Sequence, residues 1–542
     1  MNRILLKFLS VFILSILIAP SAFAALALSP IFGSDMVLQR GTSVPVFGTT
    51  NPGASVTVQF QSQNVSGVAD ASGKWRVNLA SMTASTAPSS MVVTSGTERV
   101  ILTGVQVGEV WLCSGQSNMG FPLSNADDSA PAIASAGNHN IRLFRMTAGS
   151  GPATTTWKVS NSSTVGSFSA VGYWMGLELS LFLKNVPIGL IQATHDGTAI
   201  ENWQHTSGGT GVDYDAMVKS IQPYAVKGVA WYQGESNGGD TDYKTKLTNM
   251  LREWRADWGQ TSLPFGIIQL AYRSGWNTAR NAQLEVADTE PSCFLVTIRD
   301  LPGGSLHPPV KKPVGIRTAI GVRGLLYGDN IPFSAPVRDI PNSYVSGNKI
   351  ILNWKYLGNG LFTSDGAAPG TFSVATATGQ FKTATAVIVG NTVEITSPVA
   401  NATRVQYSYS SVGNLYSRVS IPTEGGASTV DRLKVSEFQI TVGPKLAATT
   451  TSAVTASELR NAGVAVYPNP SSRGQFSISL GGHKTDSKLS VQISDLLGRV
   501  VYRKMETAGE TLQVNSNLKP GTYLLQVRDN SQVLVKKQLV IQ

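Results

Sequence analysis

From residue 25 to 103 apolar residues alternate with polar ones in short runs: SVPVFGTT, SVTVQFQS, KWRVNL, SMVVTSG and RVILTG. A period of two, broken by Gly, Pro and Asn, predicts an all-β module. Over 104–328 the pattern changes. Continuous apolar runs (VPIGLIQAT, VKGVAWYQG, PFGIIQLAY, CFLVTIRD) now alternate with stretches of helical period. In DYKTKLTNMLREWRADWG, Leu247, Met250, Leu251, Trp254 and Trp258 fall on one helical face, and VKKPVGIRTAIGVRGLLYG reads as another helix. Strands apolar on both faces, alternating with helices, predict an α/β domain with a parallel sheet covered on both sides. Strand patterns return over 329–442 (KIILNWKY, TAVIVG, TVEITSP, RVQYSYS), predicting a second β module. Residues 443–462 are a Thr/Ala/Ser-rich linker, and 463–542 read as a last set of short strands.

The first 24 residues stand apart. Arg3 and Lys7 precede the apolar run VFILSILIAP, and Ala22-Phe23-Ala24 has the small-x-small pattern of a cleaved export signal. The run is short for a membrane anchor, and no later stretch would span a bilayer, so the mature chain is expected to have no membrane span. The remaining 518 residues exceed one hydrophobic core. A formal charge of +10 suggests nucleic acid until it is mapped. Residues 464–542 hold ten Lys/Arg against five Asp/Glu, and the leader adds two positives, which leaves +3 on 25–463. No basic face remains to recommend a nucleic-acid partner. Cys113 and Cys293 both sit in apolar strand-like runs, which favours two free structural thiols over a disulfide.

Chemistry is expected where strand C-termini meet in the α/β segment. There GEVWLCSGQSNMGF, residues 108–121, runs from a Val/Trp/Leu strand into small polar residues. A serine nucleophile needs a base, a group orienting that base, and donors for the oxyanion. The chain has five histidines: His139, His195, His205, His307 and His483. His307 lies in RDLPGGSLHPPVKKPVG, a loop after the last apolar strand, where a base would project into the crevice.

The order GQSN, DGT, QGESN and D…HP, each after a strand, resembles the SGNH hydrolases. More narrowly, the chain resembles the sialate O-acetylesterase family from about residue 29 to about 440. The resemblance rests on IFGSDMVLQR, GEVWLCSGQSNM, GLI…DGTAIENW, GVAWYQGESN, LREWR, PFGIIQLA and RDLPGGSLHPPVKKPVG. It implies an SGNH-type, flavodoxin-like three-layer α/β domain flanked by β-sandwich modules. The implied activity is removal of O-acetyl groups from sugar hydroxyls without metal or cofactor. Carried over, Ser117 is the nucleophile and His307 the base. The backbone N–H groups of Ser117 and Gly197 and the Gln233 side-chain amide are the oxyanion donors. Ser114 matches no functional position. Glu235 invites a glycosidase reading, but nothing supplies a partner carboxylate, and a structural role in its loop is favoured.

Three departures from the family bear on function. Asp196 replaces the first glycine of a usual Gly-Gly-Thr. Gly304 stands where many relatives carry the acid of Asp-x-x-His, which leaves Asp300, or a backbone carbonyl, to orient His307. The segment from Trp203 to Tyr224 is short, leaving the crevice more open. The substrate is therefore expected to be an acetylated glycan. Sialic acid O-acetyl esters come first, with acetylated xylan, xyloglucan or pectin, or glycan binding by a decayed esterase, as alternatives.

The C-terminal segment resembles the sorting domain of the type IX secretion system of Bacteroidetes, on VYPNP (466–470), ISDLLGRVV (493–501), LKPGTYLLQV (518–527) and VKKQLVIQ (535–542). That implies the type IX machinery as a partner and delivery through the periplasm to the cell surface or medium.

Overall fold

The computed structural model describes residues 25–444, apart from a few loop positions, and the strands of 464–541. Residues 1–24, read as an export signal, and most of the 443–462 linker lie outside the described residues. The chain divides into two compact units, 1–445 and 446–542.

The long apolar runs form the central sheet. Its parallel strands are β1 (Glu98–Gly115), β2 (Ile141–Arg145), β3 (Ile188–Thr194), β4 (Gly228–Tyr232), β5 (Phe265–Ile268) and β6 (Cys293–Val296). They lie in the order β2-β3-β1-β4-β5-β6, all parallel. Every residue of β3 to β6 is buried, as expected of strands covered on both faces. The long helices are α1 (Ala170–Leu183), α2 (Tyr243–Asp257), α3 (Asn277–Thr289) and α4 (Lys312–Leu326). The apolar face read for α2 is its buried face, and Trp254 packs edge-on to Trp231 of β4 with centroids 5.7 Å apart.

Strand β1 crosses the expected 103/104 boundary. Its first half pairs with Ser85–Ser95 of the N-terminal β module, and its second half is the middle strand of the α/β sheet. The burial pattern shows why: alternation ends at Val105, and residues 105–115 are buried on both faces. Strands between Val337 and Thr441 form small antiparallel sheets packed on the α/β layer. A buried ion cluster ties the two together, with Glu437 between Arg280 (2.5 Å) and Arg299, all three fully enclosed. The second unit holds two antiparallel sheets around a separate core that includes Phe476, Val491 and Leu525. Both cysteines are free and buried, and burial pushes their thiols up to about 12 (Cys113) and about 11 (Cys293).

Candidate active site

Parallel register sets one row of residues across the sheet. Gly115 of β1 lies opposite Thr194 of β3 on one side and Tyr232 of β4 on the other. Three loops therefore leave the sheet side by side: 116–120, 195–198 and 233–237. Because β1 sits between β3 and β4, the chain departs to opposite sides here, and a crevice opens at such a switch point.

Gly115 is required at the end of β1. Its φ is +131°, and a Cβ there would fall 2.1 Å from the Tyr232 carbonyl oxygen. The chain then folds into a one-turn helix, Ser117–Gly120, closed by bonds from the Met119 and Gly120 N–H groups to the Gln116 carbonyl. That turn lifts Ser117 out of the sheet. His307 reaches it from the loop after β6, with Nε2 2.7 Å from Ser117 Oγ.

The serine turn and the histidine loop are held in register by Asn118. Its Nδ2 donates to Glu235 Oε1 (2.6 Å) and to the Leu306 carbonyl (3.0 Å), and its Oδ1 accepts from Lys311 Nζ. Lys311 is buried, with its ammonium over the rings of Phe121 and Tyr232. Burial pulls Lys311 down to about 7, against the opposing charge of Glu235. Burial likewise raises the Glu235 carboxyl, while the Asn118 hydrogen bond and the Lys311 charge hold it back. Sequence reasoning missed Lys311, whose only signal was a lysine pair inside the loop matched to the base.

Among the proposed oxyanion groups, the Ser117 and Gly197 N–H groups have no hydrogen-bond partner among the described residues. Gly197 is exposed, with φ +72° and open space where a Cβ would be. Gln233 differs from expectation. It is fully buried, and both hydrogens of its Nε2 are taken, by Thr198 O (3.2 Å) and Asn237 Oδ1 (2.9 Å), while Tyr243 donates to its Oε1. Its amide is a strut between loops and presents no open donor. Ser114 is buried within β1.

Asp300 is not brought to His307 either. Its two oxygens each accept a bond from Arg317 of α4 at 2.8 Å, and both side chains are nearly enclosed. Burial alone would raise the Asp300 carboxyl, but the bonds and charge of Arg317 outweigh it and hold it below the usual range. The physical reason is competition: the charge-assisted, bidentate pairing holds the carboxylate at Arg317, and it forms no bond to the His307 ring. Among the described residues no carboxylate bonds the His307 ring.

Residues 107–312 match the family described as carbohydrate esterase, sialic acid-specific acetylesterase, and 465–542 match the secretion system C-terminal sorting domain. Sialate O-acetylesterases of Homo sapiens and Pongo abelii are each 28% identical over 403 residues, covering 60% of this chain and 75% of theirs. A crystal structure of a carbohydrate acetylesterase from Xanthomonas citri superposes with a TM-score of 0.67 at 31% identity, covering 76% of this chain and 99% of that one. The chain therefore belongs to the sialic acid-specific acetylesterase family of carbohydrate esterases, as a carbohydrate O-acetylesterase that carries a C-terminal sorting domain for secretion.

Proposed function

We propose that Ser117 and His307 form the catalytic pair of an SGNH-type esterase whose substrate is an O-acetylated sugar, sialic acid O-acetyl esters first among them. The observation that carries this reading is the 2.7 Å contact between His307 Nε2 and Ser117 Oγ at the crevice. His307 takes the Ser117 proton as Oγ attacks the acetyl carbonyl, and the unpaired N–H groups of Ser117 and Gly197 receive the oxyanion. The imidazolium gives that proton to the departing sugar oxygen, which leaves as the free hydroxyl. Water, deprotonated by the same imidazole, then attacks the acetyl-serine, and the imidazolium returns the proton to Ser117 Oγ as acetate leaves. With Asp300 committed to Arg317, the pair works as a dyad, its imidazole positioned by the loop that Asn118 holds.

The alternative of a glycan-binding protein with a decayed site rested on the missing Asp-x-x-His. A serine and histidine in hydrogen-bond contact argue against it. Residues 1–24 are assigned as the export signal, with the sorting domain then directing the chain through the type IX route of a Bacteroidetes-type cell to its surface or medium. Hydrolysis of p-nitrophenyl acetate by the purified protein, lost in Ser117→Ala, tests the catalytic reading. Acetate release from sialylated mucin and from acetylated xylan, xyloglucan and pectin tests the substrate, and release from the plant polymers alone would move it away from sialic acid.

A further inference from the structure

A second oriented imidazole stands at the same end of the sheet. His195 follows β3 directly, one step beyond the Thr194–Gly115 pair, and its N–H donates to the Gly115 carbonyl at 3.2 Å. That places it across from Gln116, on the loop that carries Gly197. The loop packs on the far end of the Ser117 turn, since a Cβ on Gly120 would lie 2.8 Å from Thr194 Oγ1 and 3.4 Å from Asp196 Oδ1.

The His195 ring is fixed. Its Nδ1 lies 2.7 Å from Asp213 Oδ1, and Asp213, fully enclosed, accepts a second bond from Asn202 Nδ2 (3.0 Å). A buried carboxylate needs such partners, and here it has two. The ring itself stays 39% exposed, and its Nε2 has no hydrogen-bond partner among the described residues. Asp213 lies in the 203–224 segment, so that segment supplies the group that orients His195. The His195 ring forms no hydrogen bond with Ser117 or His307, and the acetyl chemistry described above does not use it.

We infer that His195, held by Asp213, is a specificity-determining residue that hydrogen-bonds a hydroxyl of the sugar bearing the acetyl ester. The inference rests on the esterase reading of Ser117. An imidazole fixed through Nδ1 presents Nε2 in one direction, and a partner pre-oriented in this way binds without an ordering cost. The exposed Asp196 beside it adds a carboxylate acceptor for a second hydroxyl.

The test compares an ester with a sugar against one without. kcat/KM is measured for p-nitrophenyl acetate and for the best wild-type substrate among 9-O-acetylated N-acetylneuraminic acid, acetylated xylan and acetylated xyloglucan. His195→Ala is expected to lose about ten- to hundredfold on the sugar ester, chiefly in KM, and to keep wild-type turnover of p-nitrophenyl acetate. Asp213→Asn, which keeps a polar partner without the charge, is expected to lose less. Equal losses on both esters with native melting would make His195 part of the general machinery and overturn the inference, as would no loss on either. Ser117→Ala is the control: if it still turns over p-nitrophenyl acetate, the esterase reading of the site falls and this inference with it. If it is inactive while His195→Ala matches wild type on both esters, only the His195 inference falls.

Discussion

Asp300→Asn separates two functions that a carboxylate near a catalytic histidine is readily assumed to share. In the structure Asp300 and Arg317 are a bidentate pair, 2.8 Å at both oxygens, with side chains 4% and 5% exposed. The asparagine keeps one acceptor oxygen and turns an N–H toward the guanidinium, which leaves a buried cation with a donor facing it. Breaking a buried pair by removing one partner costs about 3–5 kcal/mol. Arg317 keeps its 2.7 Å bond to the Thr297 carbonyl, which favours the lower end of that range. Catalysis should respond differently, because Asp300 forms no hydrogen bond with His307. A loss in kcat below about tenfold is expected, under about 1.4 kcal/mol of barrier. Neutralising an acid that orients a catalytic imidazole would instead cost about 10⁴-fold. Urea unfolding gives the first quantity, and p-nitrophenyl acetate turnover well below the melting transition gives the second. A thousandfold loss in kcat with unchanged stability would refute the dyad and return Asp300 to His307. The pH dependence has a sign of its own. Because the folded carboxyl sits below its ordinary 3.8, its stabilisation is complete above that value and is lost as pH falls through the lower folded value. Wild type should therefore lose stability in that acid window, and Asp300→Asn should not show this part of the loss.

Asn118→Ala removes the link between the serine turn and the Leu306 carbonyl and strips Lys311 and Glu235 of a shared partner. Two hydrogen bonds to charged groups are worth about 1.5–3 kcal/mol each, so a stability loss of roughly 3–6 kcal/mol is expected, with a fall in kcat larger than that of Asp300→Asn. Lys311 is neutral more readily in the folded chain, at about 7, than unfolded. Wild-type stability should then rise as pH increases from about 7 toward the unfolded lysine value of about 10.4, and Lys311→Met should flatten that rise in urea titrations. Glu437→Gln should destabilise the first unit by about 3–5 kcal/mol, because Arg280 and Arg299 are fully buried around it, and should leave p-nitrophenyl acetate turnover of the folded protein intact.

What could be read in advance follows from how local each signal is. Three β-to-loop junctions carried their own marks: a continuous apolar run ending in Gly-Gln-Ser-Asn, Asp-Gly-Thr or Gln-Gly-Glu-Ser-Asn reports burial followed by a forced turn. The α2 face was legible because Leu247, Met250, Leu251 and Trp254 are buried by the period of the helix itself. The partners were not legible. Arg317 lies 17 residues after Asp300, and only the return of α4 across β6 brings its guanidinium to that carboxylate. Gln233 keeps its place in the motif, yet the fold turns its amide inward to Thr198 and Asn237. Lys311 and Lys312 are adjacent and identical in sequence, and only packing against Phe121 and Tyr232 buries the first and leaves the second exposed. The strand-to-module boundary near 103 was misplaced for a related reason. A strand can leave one sheet and enter another without a turn residue to announce it.

The central claim is that Ser117 Oγ, activated by His307, becomes acylated. Diethyl p-nitrophenyl phosphate tests this directly, because it transfers its phosphoryl group to an activated serine and releases p-nitrophenol. Peptide mass mapping of the inactivated protein should find one diethylphosphoryl group per chain, on the peptide carrying Ser117. Its rate of attachment should fall steeply in His307→Ala, while folding remains native. Full inactivation with the adduct on another residue, or retained esterase activity after Ser117 is fully modified, would contradict the account.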